Sequence, residues 1–201
     1  MSDSAQETTI AQKILAAAVG LFARKGFAAT STREIAESAG VTKPMLYYYY
    51  QNKEGLCRAA LTSFFDPFQE RLKVILEEQR PPRDHLVEVV WAHLDNCQAN
   101  KEHARLFYSL YFGPEELAGS FDIEHYALLG RELLGQAVRH ASQNGLIRPG
   151  SEESFDLAIT GFINLVAMAS FKTQTELTRN LAEKIVDDLL AGFGQPPPTS
   201  T

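Results

Sequence analysis

The chain has 201 residues, of which 45% are hydrophobic and 22% are charged, and this composition excludes a mainly disordered protein. Its formal net charge of −6 at first sight argues against a nucleic-acid partner. The charge is unevenly spread, however, because residues 1–56 carry 6 basic and 5 acidic side chains, whereas residues 57–201 carry 13 and 20. Since local charge decides contact with phosphate, the first 56 residues remain compatible with a nucleic-acid partner.

Neither the cysteines nor the apolar stretches indicate export or a membrane span. Cys57 and Cys97 form no spacing motif and are too few for a disulfide framework. This cysteine content predicts that the protein is located in the reducing cytoplasm. The N-terminus has no apolar signal core. Residues 157–171 carry no charge, but a span needs roughly 20 apolar residues, so we expect a buried helix in the core or in a subunit interface.

Helical patterns dominate the first 56 residues. A capping box at Thr9 and Gln12 predicts a first helix that ends at Gly26. A second capping box, Ser31 with Glu34, opens a short helix that stops at Gly40. A third helix follows, with Thr42 as its cap and Pro44 in its first turn, where a missing N–H is harmless.

The remaining sequence predicts six further helices, and therefore an all-α fold of about nine. Asn52 caps the fourth, Pro67 predicts a kink in it, and Gly145 and Ser151 mark the end of the seventh and the start of the eighth. The ninth contains an i, i+4 row of Leu177, Leu181, Ile185 and Leu189. The fourth to seventh helices cover about residues 53–79, 83–100, 101–112 and 122–144, and the proline-rich residues 195–201 form a disordered tail.

The second and third helices have the spacing of a helix-turn-helix. Ala36 is small where two helices would cross, and Gly40 stands four residues later, where a tight turn favours positive φ. Val41 fills the corner, and Leu46 can pack back on the preceding helix. The third helix then contains four consecutive tyrosines, residues 47–50, which cannot all face a core because a helix turns about 100° per residue.

The exposed tyrosines of that helix need a partner. Tyr50 shares the inward face of Leu46, so at least two of the others face solvent, although Tyr47 could instead stack on the next helix. Tyrosine hydroxyls can donate to phosphates, and the rings can touch thymine methyl groups. Residues 31–50 are therefore predicted to dock on DNA.

The first quarter of the chain closely resembles the TetR family of bacterial transcriptional regulators. The resemblance covers about residues 9–56 and is carried by these positions: Ile14, Leu15, Leu21, Phe22, Gly26, Phe27, Ser31, Thr32, Ile35, Ala36, Gly40, Val41, Leu46, Tyr47, Tyr50, Lys53 and Leu56. It implies DNA contacts from Ser31, Thr32, Arg33, Thr42, Lys43, Met45, Tyr47, Tyr48, Tyr49 and Lys53. Many members have histidine at the position of Tyr49, so no pH dependence from a histidine is expected there.

The resemblance also implies that the eighth and ninth helices pair with a second subunit as a four-helix bundle. The expected interface residues are Phe155, Ile159, Ile163, Val166, Leu181, Ile185 and Leu189. The eighth helix is apolar nearly all round, which requires burial on more than one side. Packing against the chain's own helices is the competing interpretation, and both can hold.

Aromatic residues are frequent in the middle of the chain, and they form either a hydrophobic core or, as the resemblance implies, the lining of an effector cavity. The candidate lining residues are Phe64, Phe68, Trp91, His93, Phe107, Tyr111, Tyr126, Phe162 and Asn164. His93 and Cys97 have i, i+4 metal-ligand spacing, with His85 eight residues before, but no further ligand completes a metal pattern. We expect no metal, no cofactor and no enzymatic activity.

The sequence thus predicts a cytoplasmic, ligand-responsive regulator, most simply a repressor. A homodimer would bind a palindromic DNA operator and be released by a small, largely apolar or aromatic effector. The predicted domains are residues 1–56 for DNA binding, with the fourth helix leading on from residue 53, residues 57–194 for effector and dimer contacts, and residues 195–201 as a tail. An all-helical carrier or enzyme with a vestigial DNA-binding module, or an architectural DNA-binding protein without an effector, is the alternative.

Overall fold

The computed structural model describes residues 2–173 and 175–194, with side chains from residue 10 onward except those of residues 116–118. Within this part the chain forms ten helices: α1 (Ser2–Lys25), α2 (Thr32–Ala39), α3 (Lys43–Tyr50), α4 (Lys53–Glu77), α5 (Pro82–Ala99), α6 (Lys101–Tyr111), α7 (Glu115–Ser120), α8 (Ile123–Gln143), α9 (Glu152–Ser170) and α10 (Arg179–Phe193). The one β pairing among these residues is an isolated bridge between Ile147 and Gly194. The prediction of an all-α fold is confirmed, and the predicted tail lies outside the described residues.

Three helix ends differ from the sequence prediction. Helix α1 begins at Ser2 rather than near Thr9, since residues 2–8 contain no glycine or proline and hold acidic residues, which favour a helix N-terminus. Helix α10 begins after Thr178, whose Oγ1 accepts from the Leu181 N–H at 3.3 Å, so Leu177 lies before the helix. The short α7 was not predicted, although Pro114 followed by two glutamates is a start signal.

The chain divides into two compact units, while the predicted functional domains, with their boundary after residue 56, stay a prediction. The first unit contains the chain up to Phe65 together with Asn100–Glu124, and the second contains residues 66–99 and the chain from His125 onward. Helix α6 belongs to the first unit because it packs on α1, where Arg24 and Glu102 form an ion pair at 3.6 Å. Helix α4 is continuous through Pro67, and the predicted kink stays a prediction.

The core of the first unit joins α1, α2, α3 and the start of α4. Its fully buried side chains include Ile14, Ala18, Phe22, Ile35, Leu46 and Leu56. Phe27 extends this core, with its ring centre 5.4 Å from that of Phe22 and 4.8 Å from that of Phe121. Ile14, Ala18 and Phe22 recur at i, i+4 spacing along α1, and α1 packs against both α2 and α3.

The second unit is built around α5, which packs against α9 and α10. Its buried side chains include Leu86, Val90 and Leu94 of α5, Phe155 and Ile159 of α9, and Ala182 and Val186 of α10. Arg83 donates two hydrogen bonds of 2.7 Å to Asp187, which ties the start of α5 to α10. None of the described helices is long and apolar enough to cross a membrane.

Candidate nucleic-acid interface

Local hydrogen bonds fix both ends of α2. Ser31 Oγ accepts from the Glu34 N–H at 3.2 Å, and the Ser31 N–H donates to Glu34 Oε2 at 3.0 Å, which is the predicted capping box. Lys25, and then Ser31, holds the pKa of Glu34 down at about 2, so this carboxylate is charged at neutral pH. Gly40 ends the helix with φ +69°, a backbone conformation that favours glycine.

The turn then sets α3 against α2. The Val41 N–H donates to the carbonyl of Ala36 at 3.0 Å, and Thr42 Oγ1 accepts from the Met45 N–H at 3.4 Å as the cap of α3. Pro44 lies in the first turn, where no hydrogen-bond donor is required. Hydrogen bonds of the neighbouring residues therefore hold the start of α3 in place. Lys43 and Met45, which lie in this first turn, are exposed.

The four tyrosines point in different directions, as predicted. Tyr50 is half-buried, and its hydroxyl donates to the carbonyl of Ala11 at 2.9 Å, while burial raises its pKa. Tyr47 and Tyr48 are 44% and 73% exposed, and Tyr49 is half-buried with its ring at 5.1 Å from that of Tyr48. The expectation that at least two tyrosines face solvent is confirmed.

Tyr47 also joins the two helices of the motif. Its hydroxyl lies 3.2 Å from Thr32 Oγ1, close enough for a hydrogen bond in which either oxygen donates. Sequence spacing predicted separate DNA contacts for these two residues and did not indicate their mutual contact. The bond fixes the ring's position before any partner arrives, so two predicted contact residues form one preorganised group.

Other predicted contact residues surround this pair. Ser31, Arg33, Thr42, Lys43 and Met45 are all exposed. Arg33 Nε donates to Glu37 Oε1 at 2.7 Å, with both side chains mainly in solvent. Solvent screens such an exposed ion pair, so a phosphate could displace Glu37 at little cost.

Lys53 has a role that its sequence position did not indicate. Its ammonium donates to the carbonyls of Phe27 and Thr30, both at 3.0 Å, and lies 4.2 Å from the centre of the Phe27 ring. These contacts tie the start of α4 to the segment between α1 and α2. One of its three N–H groups is left for a phosphate, and the predicted DNA contact of Lys53 stays a prediction.

The predicted effector residues divide between the two units. Phe64, Phe107 and Tyr111 lie in the first, where the rings of Phe107 and Tyr111 stack at 5.6 Å and Phe64 is buried. Phe68, Trp91, His93, Tyr126, Phe162 and Asn164 lie in the second. Phe68 and His93 form an edge-to-face contact at 5.7 Å, and burial lowers the pKa of His93 to about 4, so this imidazole is neutral at pH 7.

The residues predicted for the dimer interface lie mostly inside the protomer. Five of its seven residues are buried within the protomer, namely Phe155, Ile159, Ile163, Ile185 and Leu189, while Val166 and Leu181 are half-buried. These five lie where α9 and α10 pack on α5 and on each other, and their predicted contact with a second subunit stays a prediction. The competing interpretation, packing in the chain's own core, is confirmed for them.

Another face of α9 is apolar and open. Leu157, Phe162 and Leu165 are 66%, 51% and 67% exposed, and Leu128 on α8 is 64% exposed. We call these four residues the apolar stripe. It is rimmed by charged side chains, among them Arg131, which lies 3.4 Å from Asp156 across α8 and α9. The sequence indicated such a face, because this helix is apolar nearly all round. Phe162 belongs to the exposed face and fits an interface better than the lining of a cavity.

Comparison with known proteins identifies the segment that contains α2 and α3. A family model described as bacterial regulatory proteins of the tetR family matches residues 14–60. The HTH-type transcriptional regulator RutR of Escherichia coli strain K12 is 41% identical over 161 residues, which cover 80% of this chain and 70% of RutR. Matches to two Bacillus subtilis regulators span only 37% and 47% of those proteins' own lengths.

Solved structures share the fold. The ketosteroid transcriptional regulator KstR2 of Mycobacterium tuberculosis has a TM-score of 0.79 at 19% identity, covering 92% of this chain and 95% of that one. The regulator FadR of Bacillus subtilis, in complex with stearoyl-CoA, has a TM-score of 0.75 at 22% identity, covering 90% and 98%. With the match to RutR, these findings show that the chain belongs to the TetR family of bacterial transcriptional regulators.

Proposed function

We propose that this chain is a ligand-responsive, DNA-binding transcriptional regulator that acts as a homodimer, most simply as a repressor. The observation that carries the proposal is the arrangement of α3. Leu46 and Tyr50 anchor the helix inward, while Lys43, Met45 and Tyr48 stand in solvent on a capped, rigidly held helix. A helix with this presentation suits the major groove, whose edge offers acceptors to lysine and methyl groups to apolar side chains.

The contacts with DNA would divide into two classes. Lys43 and Met45, at the N-terminal end of α3, would meet base edges together with the ring of Tyr47. Ser31, Thr32, Arg33, Thr42, Tyr48, Tyr49 and the remaining N–H of Lys53 would meet phosphates and fix the register. The N-terminus of α2, with its outward-facing backbone N–H groups, adds to the phosphate set.

The apolar stripe would form the dimer interface, in place of the residues predicted from the sequence. An isologous contact would set α8 and α9 of one protomer against the same helices of its partner, as the family's four-helix bundle requires. Apolar residues at the centre and charged residues at the rim are the usual arrangement of such interfaces. Two-fold pairing would present two copies of α3 to two half-sites of a palindromic operator.

The dimer proposal is tested by charge insertion in the stripe. Leu165→Glu is expected to give a monomer in sedimentation velocity, because a buried carboxylate without a partner is strongly disfavoured. Val74→Glu is the matched control, since Val74 is 57% exposed but lies on α4, outside the stripe. A Leu165→Glu protein that remains dimeric would contradict this interface.

The effector would be small and largely apolar or aromatic. Support comes from the second unit, where Phe68 contacts His93 edge to face and the neutral ring of His93 has both a donor and an acceptor nitrogen. Two proteins with the same fold have related specificities, since one is named a ketosteroid regulator and another holds stearoyl-CoA. Binding would release DNA only if the effector prefers a conformation whose two α3 helices no longer match the operator.

Selection of bound fragments from random DNA tests the function as a whole. We expect a symmetric consensus whose half-sites are separated by about one or more helical turns, and weaker retention of DNA when a matching effector is added. A protein that binds apolar ligands but shows no salt-dependent affinity for any DNA would instead be a carrier. A protein that binds DNA without any ligand-induced change would be architectural.

A further inference from the structure

A pocket lies in the second unit, where α4 ends, α5 begins and the C-terminal half of α8 passes. It encloses about 400 Å³ and contains the side chains of Glu77, Glu78, Arg80, His85, Gln136 and His140. None of these residues belongs to the effector set considered above. Leu76 and Gln79 complete the lining, so every lining residue except Leu76 has a polar or charged side chain, whereas the effector set is largely aromatic.

His85 contributes an unused hydrogen-bond acceptor. Its Nε2 lies 2.8 Å from the carbonyl oxygen of Ile75, and since a carbonyl can only accept, Nε2 carries the proton. The other ring nitrogen, Nδ1, then bears a lone pair. His85 is only 5% exposed, and no group among the described residues donates to Nδ1. A buried acceptor without a donor from the protein is uncommon and unfavourable, so this nitrogen favours a donor from outside the chain.

The pocket's own cation, Arg80, is bound to carboxylates and does not donate to His85 Nδ1. The guanidinium of Arg80 donates to Glu78 through Nε and Nη2, and its Nη1 lies 3.1 Å from Glu88 Oε1. Glu77, by contrast, is exposed and has no ion-pair partner among the residues described. With Arg80 committed, the pocket is left with surplus acceptors and negative charge.

We propose that this pocket binds a small organic ammonium ion, which donates an N–H to His85 Nδ1 and places its charge near Glu77 and the Gln136 amide oxygen. Burial lowers the pKa of His85, in keeping with a neutral, accepting ring. The described part of the chain contains no group of three His, Cys, Asp or Glu residues arranged to hold a metal ion, so the acceptors fit an amine better than a transition metal.

Entry to Nδ1 would involve His140. Nδ1 is closed off from solvent, and the half-exposed ring of His140 stands perpendicular to that of His85 with ring centres 5.3 Å apart. His140 lies in the last turn of α8, where a change of its side-chain rotamer requires no movement of the helix. This ring would be the movable wall of the pocket.

Calorimetric titration of the full chain with 1,4-diaminobutane tests the proposal, without DNA, so its result does not depend on the proposed regulatory function. We expect one binding site for the diamine and no binding of 1,4-butanediol, which has the same length but no charge. Glu77→Gln and Gln136→Leu alter exposed side chains and should each weaken diamine binding at least fivefold. Glu153→Gln removes an exposed carboxylate from the α8–α9 groove and should leave the affinity unchanged.

Nitrogen-15 spectroscopy of the histidine rings reports on His85 without a variant that could unfold. Diamine should shift the His85 Nδ1 resonance, as expected when a lone pair accepts a hydrogen bond, while the protonated Nε2 stays protonated. Absence of binding, equal binding of the diol, or a diamine affinity that Glu77→Gln and Gln136→Leu leave intact would overturn the proposal. So would zinc chloride saturating both histidines while diamine has no effect.

Discussion

Helices α3 and α9 both carry more large apolar and aromatic side chains than one buried face can hold, and the sequence was informative about them to different degrees. In α3 the inward residues, Leu46 and Tyr50, and the solvent-facing Tyr48 are where the sequence predicted them. In α9 the expected interface residues, such as Phe155, are internal, and Leu157 and Leu165 are open instead. The two helices differ in what determines their rotation about the helix axis, and therefore which side chains face inward.

Local chemistry determines that rotation in α3. The helix has only eight residues, begins at the Thr42 cap, and follows a glycine turn whose geometry is nearly fixed. Helix α9 is more than twice as long, and its Ser151 cap makes no side-chain hydrogen bond. Its rotation is therefore decided by which surfaces α5 and α10 present, and that depends on the whole second unit.

The largest expected effect concerns the two faces of α9. Phe155→Ala should lower the free energy of unfolding by about 3–5 kcal/mol, because this ring is fully buried and its removal leaves a cavity. In the monomeric Leu165→Glu background, Leu157→Ala, two residues away and 66% exposed in the protomer, should cost less than about 1 kcal/mol. Urea denaturation measures both, and equal losses would contradict the assignment of the two faces.

The next effect concerns Lys53 and would sharpen the account of the first unit. Lys53→Met should destabilise the protein by about 2 kcal/mol, because two carbonyl oxygens lose a charged donor. Lys43→Met is the matched control, since Lys43 is exposed and should change stability by less than about 0.5 kcal/mol. If both variants unfold at the wild-type urea concentration, the ammonium of Lys53 has no structural role.

A smaller effect is expected at the cap of α2. Ser31→Ala should cost about 1 kcal/mol, since the Glu34 N–H loses its acceptor. Ser38→Ala, on the exposed side of the same helix, should be neutral or slightly stabilising because alanine favours helix interiors. Thermal unfolding of the two variants compares them directly, and identical midpoints would argue against the capping box.

The smallest effect is a pH dependence. The pKa of Glu34 in the folded protein is about 2, below its ordinary value of 4.5, so the folded state holds this proton less tightly than the unfolded chain. Its stabilising contribution is complete above pH 4.5 and is lost as the pH falls from 4.5 towards 2. Glu34→Gln should make the free energy of unfolding depend less on pH over this interval, which urea denaturation at several pH values measures. The same pH dependence as in the wild type would show that the contacts of Glu34 with Lys25 and Ser31 do not stabilise the fold.

The parts of the fold that the sequence predicted are those fixed within a few residues. The capping box of Ser31, the positive φ of Gly40 and the Thr42 cap all depend on neighbours three or four residues away. The contacts that the sequence did not predict join residues far apart in the chain, such as Lys53 with the carbonyl of Phe27 and Thr32 with Tyr47. No periodicity encodes them, because they arise only after the helices have packed.

Operator binding by Lys43→Ala tests most directly the central claim that α3 docks on DNA. The variant should bind the selected operator about 1–3 kcal/mol more weakly and lose its preference at one base position. Lys184→Ala is the control, because Lys184 is an exposed lysine of α10 in the second unit, and it should bind like wild type. If Lys43→Ala binds every sequence as tightly as wild type, or loses affinity equally for all of them, α3 does not read bases through Lys43.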